Sequence, residues 1–273
     1  MKTTTTIAAA LLLASMAVGC DETKDEKGAP EAAASAPAPL PSTPATATPS
    51  ATPAPSATAA TWKRRNASDC KPHPASVDFG DDTALEAEVR RKLGKATGPL
   101  APSDLAQIKS INLSAAKVHQ IDPCVFPMFT SLKDLFLGPG EYEDLTPLQK
   151  LTTLESLRLS MSQVKDLHAI EGLKKMDRLD ISHTLVQDDQ FKSVGSLINV
   201  TELMLDEDNI TDLTPVANLK KLERLSIKKS AVKSLAPLSQ LKTLKFLYIA
   251  DTPITDITPV QPLIASGMKL IQN

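Results

Sequence analysis

Apolar residues recur along the C-terminal two-thirds of the chain with a period of about two dozen residues. With Leu154 as position 1 of a unit, Leu157 and Leu159 take positions 4 and 6, Val164 takes position 11, and Leu167, Ile170 and Leu173 take positions 14, 17 and 20. Units of the same spacing start at Ile108, Leu132, Met176, Val200, Leu222 and Leu244, so successive starts are 24, 22, 22, 24, 22 and 22 residues apart. The two longer steps carry two-residue insertions, in segments 122–131 and 187–190. Alternation at positions 4 and 6 is the signature of a strand with one buried face. The three-residue spacing at positions 14, 17 and 20 predicts a short helix or 3₁₀ turn. A single strand-and-return unit cannot cover its own apolar face. Seven of them over residues 108–263 therefore predict a stack with a continuous core and a parallel sheet along one side.

The return segments read Asp-Leu-Thr-Pro-Leu at 144–148, Asp-Leu-Thr-Pro-Val at 212–216 and Asp-Ile-Thr-Pro-Val at 256–260. With the 22-residue period, the stretch from about Val77 to Leu263 resembles the internalin-type family of bacterial leucine-rich repeats. The resemblance implies an α/β repeat solenoid: a right-handed, curved leucine-rich-repeat coil with a concave parallel sheet and a helical N-terminal cap. That family often carries Asn at position 9, where it bonds the backbone between coils. Here the position holds Ala116, Gly140, Ser162, Thr184, Asp208, Ser230 and Thr252. Ser, Thr and Asp offer substitute hydrogen bonds, whereas Ala116 and Gly140 do not, so the first two coils are expected to be less regular.

The flanks of the repeat array carry their own signals. Asp82-Thr83 starts a helix that should run to about Lys92, with Leu85, Val89 and Leu93 on one face and Gly94 as its stop. A second short helix is expected over 105–108 after Ser103-Asp104. Residues 78–108 resemble the helical cap that precedes many bacterial leucine-rich repeats, and residues 63–107 are read as that cap. Cys70 lies before the cap and Cys124 lies in the first return segment. Both fall at the N-terminal end of the solenoid, and in an oxidising compartment they are expected to form a disulfide. At the far end, residues 264–273 are expected to form an edge strand around Met268 and Leu270, or a tail.

The first sixty residues belong to a different regime. Lys2 is followed by an apolar run, Ile7 to Val18, too short to cross a bilayer, and then by Ala17-Val18-Gly19-Cys20. These residues resemble the lipobox of bacterial lipoproteins, which implies a signal peptide over 1–19 and lipidation of Cys20. From Ala29 to Thr61 nearly every residue is Pro, Ala, Ser or Thr. Such a segment buries no apolar area, so residues 20–62 are read as an extended, solvated stalk. The basic triplet Lys63-Arg64-Arg65 that follows is read as a solvated domain edge rather than a lipid contact.

Composition narrows the function further. The formal net charge is -2, which lacks the basic footprint of a nucleic-acid binder. The four histidines, His73, His119, His168 and His183, show no metal-ligand spacing, and Gly138-Pro139-Gly140 has no following Lys or Ser/Thr to hold phosphate. No segment outside signal, stalk, cap and repeats is large enough for a catalytic domain. The expectation is a non-enzymatic, monomeric protein without metal or cofactor, anchored by lipid in the cell envelope. It would bind a protein, or secondarily a glycan, through the concave sheet. The alternative is a structural spacer of the envelope.

Candidate contact residues follow from the strand alternation. Position 3 carries Ser110, Asp134, Ser156, Arg178, Glu202, Arg224 and Phe246, and position 5 carries Asn112, Phe136, Arg158, Asp180, Met204, Ser226 and Tyr248. Opposite charges on neighbouring strands should satisfy one another. The apolar exceptions Phe136, Met161, Met204, Phe246 and Tyr248 are expected to be exposed. Phe136, Arg158, Met204, Arg224, Phe246 and Tyr248 are the predicted partner-binding set.

Overall fold

A computed structural model describes residues 62–71 and 75–273. The expected signal peptide, the lipidation residue Cys20, the stalk up to residue 61 and His73 lie outside the described residues.

Each unit contributes one short strand: β1 (Ser110–Leu113), β2 (Asp134–Leu137), β3 (Ser156–Arg158), β4 (Arg178–Asp180), β5 (Glu202–Met204), β6 (Arg224–Ser226) and β7 (Phe246–Tyr248). An eighth, β8 (Lys269–Ile271), follows the last unit, where the sequence left a strand and a tail both open. All eight form one parallel sheet in chain order. The register aligns Ile111, Leu135, Leu157, Leu179, Leu203, Leu225, Leu247 and Leu270 in a single row. The first seven of these are buried and join the core that runs the length of the stack. Truncating any one to Ala would cost about 2–5 kcal/mol, because the next coil cannot collapse into the gap.

The return side is built of 3₁₀ turns at Phe126–Met128, Thr146–Leu148, His168–Ile170, Thr214–Asn218, Ala236–Leu238 and Thr258–Val260. In three of them the Asp-x-Thr-Pro motif sets the start. The carboxylates of Asp144, Asp212 and Asp256 each accept a hydrogen bond from the backbone N–H two residues on, at 2.8 Å, and the proline then occupies a position that needs no N–H. The insertion at 187–190 becomes the third helix in chain order, α3 (Asp188–Phe191), continued by a 3₁₀ segment at Lys192–Ser196.

The first two coils do depart from the rest, at position 9, where the sequence pointed, and also at position 8 beside it. In coils 3–7 the residue at position 8 has left-handed backbone: Met161, His183, Glu207, Lys229 and Asp251 all have φ between 53° and 60°. The matching residue in coil 2 is Pro139, whose ring fixes a negative φ. Coil 2 instead approaches coil 1 directly. Gly140 pairs with Val118, and a Cβ on Gly140 would lie 1.8 Å from the Val118 carbonyl oxygen.

The N-terminal edge is closed by α1 (Thr83–Leu93), with the Asp82 carboxylate accepting the Leu85 N–H at 2.9 Å and Gly94 ending it in left-handed conformation. Leu85 and Val89 enter the core, and the buried Glu88 carboxylate accepts the Asn112 N–H of β1 at 3.1 Å. The second cap helix, α2, spans Pro102–Leu105, earlier than expected because Pro102 supplies the pre-set φ of a helix start. A disulfide joins Cys70 to Cys124 and pins residues 62–71 across the first coil. The basic triplet is not simply a solvated edge. Arg65 is 3.0 Å from the buried Asp122 carboxylate, and Arg64 lies 3.7 Å from Glu143. Trp62 stacks on His119 at 5.0 Å. At the other end α4 (Gln261–Ala265) precedes β8.

Candidate binding surface on the concave sheet

The parallel register brings the outward side chains into two ladders. One runs Ser110, Asp134, Ser156, Arg178, Glu202, Arg224, Phe246, Lys269, and the other Asn112, Phe136, Arg158, Asp180, Met204, Ser226, Tyr248, Ile271. Rungs are spaced by about 4.8 Å, the distance between neighbouring strands. Opposite charges meet across the rungs. Arg158 is 3.0 Å from Asp180, Arg224 is 3.4 Å from Glu202, and Lys228 and Lys229 are 3.1 and 3.0 Å from Asp206 and Glu207. Exposed pairs of this kind contribute little to stability, because solvent screens them.

The six predicted contact residues fall into two groups. Phe136, Arg158 and Met204 line a cleft of about 160 Å³ together with Ser156, Arg178, Asp180 and Glu202. The cleft exists because Ser156 is small and buried between Asp134 and Arg178 in its ladder. Arg224, on the next strand β6, and Phe246 and Tyr248 of β7 form a second group adjoining the cleft on its C-terminal side.

The expected exposure of the apolar side chains needs correction. Phe136, Met204, Phe246 and Tyr248 are half-buried. The Arg158 guanidinium stands 5.5 Å from the Phe136 ring centroid, and that of Arg224 stands 4.9 Å from Phe246 and 6.0 Å from Tyr248. Lys269 of β8 approaches Phe246 at 5.8 Å. The cations were legible as separate ladder members; that they lie over the rings is a property of the register. Met161 is the one apolar candidate that is well exposed, at 54%.

Arg178 is half open to solvent and loosely paired. Its guanidinium makes no hydrogen bond among the described residues, and its nearest carboxylates, Asp134 and Asp177, are 3.8 and 3.9 Å away. Sequence reasoning placed Arg178, Asp180 and Glu202 in the ladders without assigning them to the site; the small Ser156 between longer neighbours was the available signal for a cleft there.

The histidines lie elsewhere. His168 is exposed on the return side and contacts Asp166, whose hydrogen bond holds the imidazole above its ordinary pKa. His183 is 3.3 Å from Glu207 at the rim of the sheet. Among the described residues no three His, Cys, Asp or Glu side chains cluster as a metal site.

Solved structures similar to this chain are leucine-rich-repeat proteins. Internalin C2 from Listeria monocytogenes matches at 24% identity and a TM-score of 0.56, over 70% of this chain and 93% of that one. An internalin of the same species, inlF, matches at 23% and 0.58 over 70% of this chain and 62% of its own length. A leucine-rich-repeat protein from Leptospira interrogans matches at 18% and 0.50, over 63% and 51%. This chain therefore spans less than two thirds of the last two. At these identities the likeness establishes the leucine-rich-repeat fold. No protein-family model and no curated protein matches the chain in sequence.

Proposed function

We propose that this leucine-rich-repeat chain is a tethered binding module that holds a protein partner against its concave sheet. The observation that carries the reading is the cleft between Phe136 and Met204, with Arg158 and Arg178 at its wall. Arginine and aromatic side chains that already pack on one another are pre-ordered, so a partner loses little side-chain entropy in meeting them. A glycan is the second candidate occupant. The apolar candidate in the cleft, Phe136, sits beneath a guanidinium rather than offering an open face for a sugar ring, which favours a protein.

A photoreactive residue at Met204, compared with one at Lys220 on the return side, tests the reading in the native cell. A discrete adduct from position 204 that is lost in Phe136→Ala supports it. Adducts from position 220 alone overturn it. A second reading, an envelope spacer without a ligand, is favoured by the ion pairs that satisfy the ladder charges internally. It predicts no adduct from either position.

The tether is the other half of the proposal. Cys20, in its lipobox-like setting, would take the lipid and anchor the chain in the cell envelope, with the Pro/Ala/Ser/Thr-rich segment as spacer. Incorporation of labelled palmitate into the full chain but not into Cys20→Ser is the expected result. Equal labelling of both would remove the anchor from the account.

A further inference from the structure

The joint between coils 4 and 5 is held by two aspartates in opposite situations. On the outside, Asp188 of the inserted helix α3 accepts the Thr211 and Asp212 N–H groups at 2.8 and 3.1 Å and the Thr211 hydroxyl. On the inside, Asp208 is 2% exposed and occupies position 9, between the two coils. One of its oxygens accepts from the Thr184 N–H at 2.8 Å and the Thr184 hydroxyl at 3.2 Å. The other oxygen is buried and has no hydrogen-bond partner among the described residues.

The charges around Asp208 do not compensate it. Those that bear on it are Asp180 of β4 and Asp206 just after β5, both negative. The cations nearby are engaged elsewhere. Arg158 pairs with Asp180, Lys228 pairs with Asp206, and Glu207 lies between His183 and Lys229 at the rim. The other position-9 residues, Ala116, Gly140, Ser162, Thr184, Ser230 and Thr252, are neutral, so Asp208 is the single carboxyl in this row.

We propose that Asp208 makes the joint between coils 4 and 5 a pH-sensitive articulation of the solenoid, tight when its carboxyl is protonated and loosened when it ionises. A solenoid is held coil by coil through nearest-neighbour contacts, so weakening one joint loosens the stack at that point without unfolding the rest. The concave cleft straddles this joint: Arg178 and Asp180 come from β4, and Glu202 and Met204 from β5. The device therefore acts on the width of the candidate binding surface.

The direction follows from the environment. Burial, reinforced by Asp180 and Asp206 and opposed by the Thr184 hydrogen bonds, pushes the Asp208 carboxyl up to about 7. A carboxyl raised in the closed state contributes stability that is fully present below its unfolded pKa of about 3.9 and lost as pH rises toward the folded value. The joint therefore tightens as pH falls from about 7 toward about 4, and its looseness levels off above about 7.

Hydrogen exchange on the full chain tests this. After correction for intrinsic rates, amides at 182–186 and 206–210 of the wild type should gain about tenfold protection per pH unit on going from pH 7 to pH 5, the linkage slope of one proton. Amides of coils 2 and 3 should not. In Asp208→Asn the same segments should be pH-independent. A carbon-13 titration of the Asp208 carboxyl in the wild type gives a readout that does not depend on the variant. A midpoint in the ordinary carboxylate range, or equal exchange behaviour in wild type and Asp208→Asn, overturns the proposal. The test needs no partner, so its outcome stands apart from that of the binding reading.

Discussion

The Arg224 guanidinium donates a hydrogen bond to the Tyr248 hydroxyl at 3.1 Å across two neighbouring strands. The same guanidinium lies over Phe246 and 3.4 Å from Glu202, so one side chain ties together two aromatic rings and a carboxylate. Replacing Arg224 by Ala removes the cation–π contact and the hydrogen bond together. The expected loss is about 1–2 kcal/mol in urea unfolding, given about 0.5–1 kcal/mol for each partly exposed contact. Arg224→Lys should lose most of the same amount, because an ammonium lacks the planar fork that serves ring and hydroxyl at once. A neutral outcome for both would mean the rings gain nothing from their cover.

Gly140→Ala is expected to lower stability by about 1–3 kcal/mol, the usual range for overpacking. The added Cβ meets the Val118 carbonyl oxygen, a backbone atom that cannot rotate away. Gly172→Ala is the control. Nothing lies within 4 Å of its added Cβ and its φ is not positive, so its melting temperature should stay close to that of the wild type.

The Cys70–Cys124 disulfide closes a loop with a sequence separation of 54. The chain-entropy relation assigns such a loop about 4 kcal/mol. Cys70→Ser/Cys124→Ser, or the reduced wild type, should unfold at correspondingly lower denaturant, with exchange rising first at residues 62–71 and 118–124. The distant coils 5–7 should keep their protection, since each coil leans chiefly on its neighbours.

Asp188 predicts an acid limb of opposite sign to that of Asp208. Partial burial raises its carboxyl, but the hydrogen bonds from Thr211 and Asp212 outweigh that and hold it below the ordinary value. A lowered carboxyl contributes stability that is present above its unfolded pKa, about 3.9, and lost as pH falls through the folded one. Asp188→Asn should therefore be less stable than wild type at pH 6, and the difference should shrink below about pH 4. Urea midpoints of the two proteins at pH 6 and pH 3 measure it.

The strand rows, the 3₁₀ returns and the cap helix were legible because each is written in apolar spacing: Leu157 and Leu159 alternate, Leu167 and Ile170 are three apart, and Leu85 and Val89 share a helix face. The ladders of the concave face were legible for the same reason, since a parallel register preserves unit numbering from strand to strand. What spacing does not encode is how side chains lie once assembled. Nothing local marks Arg158 as the cover of Phe136, which belongs to the preceding unit 22 residues earlier. The irregularity of the first coils was anticipated at position 9, where Gly140 pairs with Val118; the fixed φ of Pro139 one residue earlier was not. The stitching of Arg65 to Asp122 was missed because the pair is 57 residues apart and Arg65 lies outside the repeat.

Five successive coils hold a left-handed residue at the same place, and none of the five is glycine. For an L-residue this conformation carries a penalty of roughly 1 kcal/mol, which glycine would relieve. What the chain keeps in exchange is a file of five side chains, Met161, His183, Glu207, Lys229 and Asp251, mounted at one orientation along the margin of the sheet. The bend is made by the main chain, so the identity of each mounted group is free to drift while the frame beneath it stays the same. Along this margin apolar, basic and acidic groups stand in succession on one unchanging backbone form.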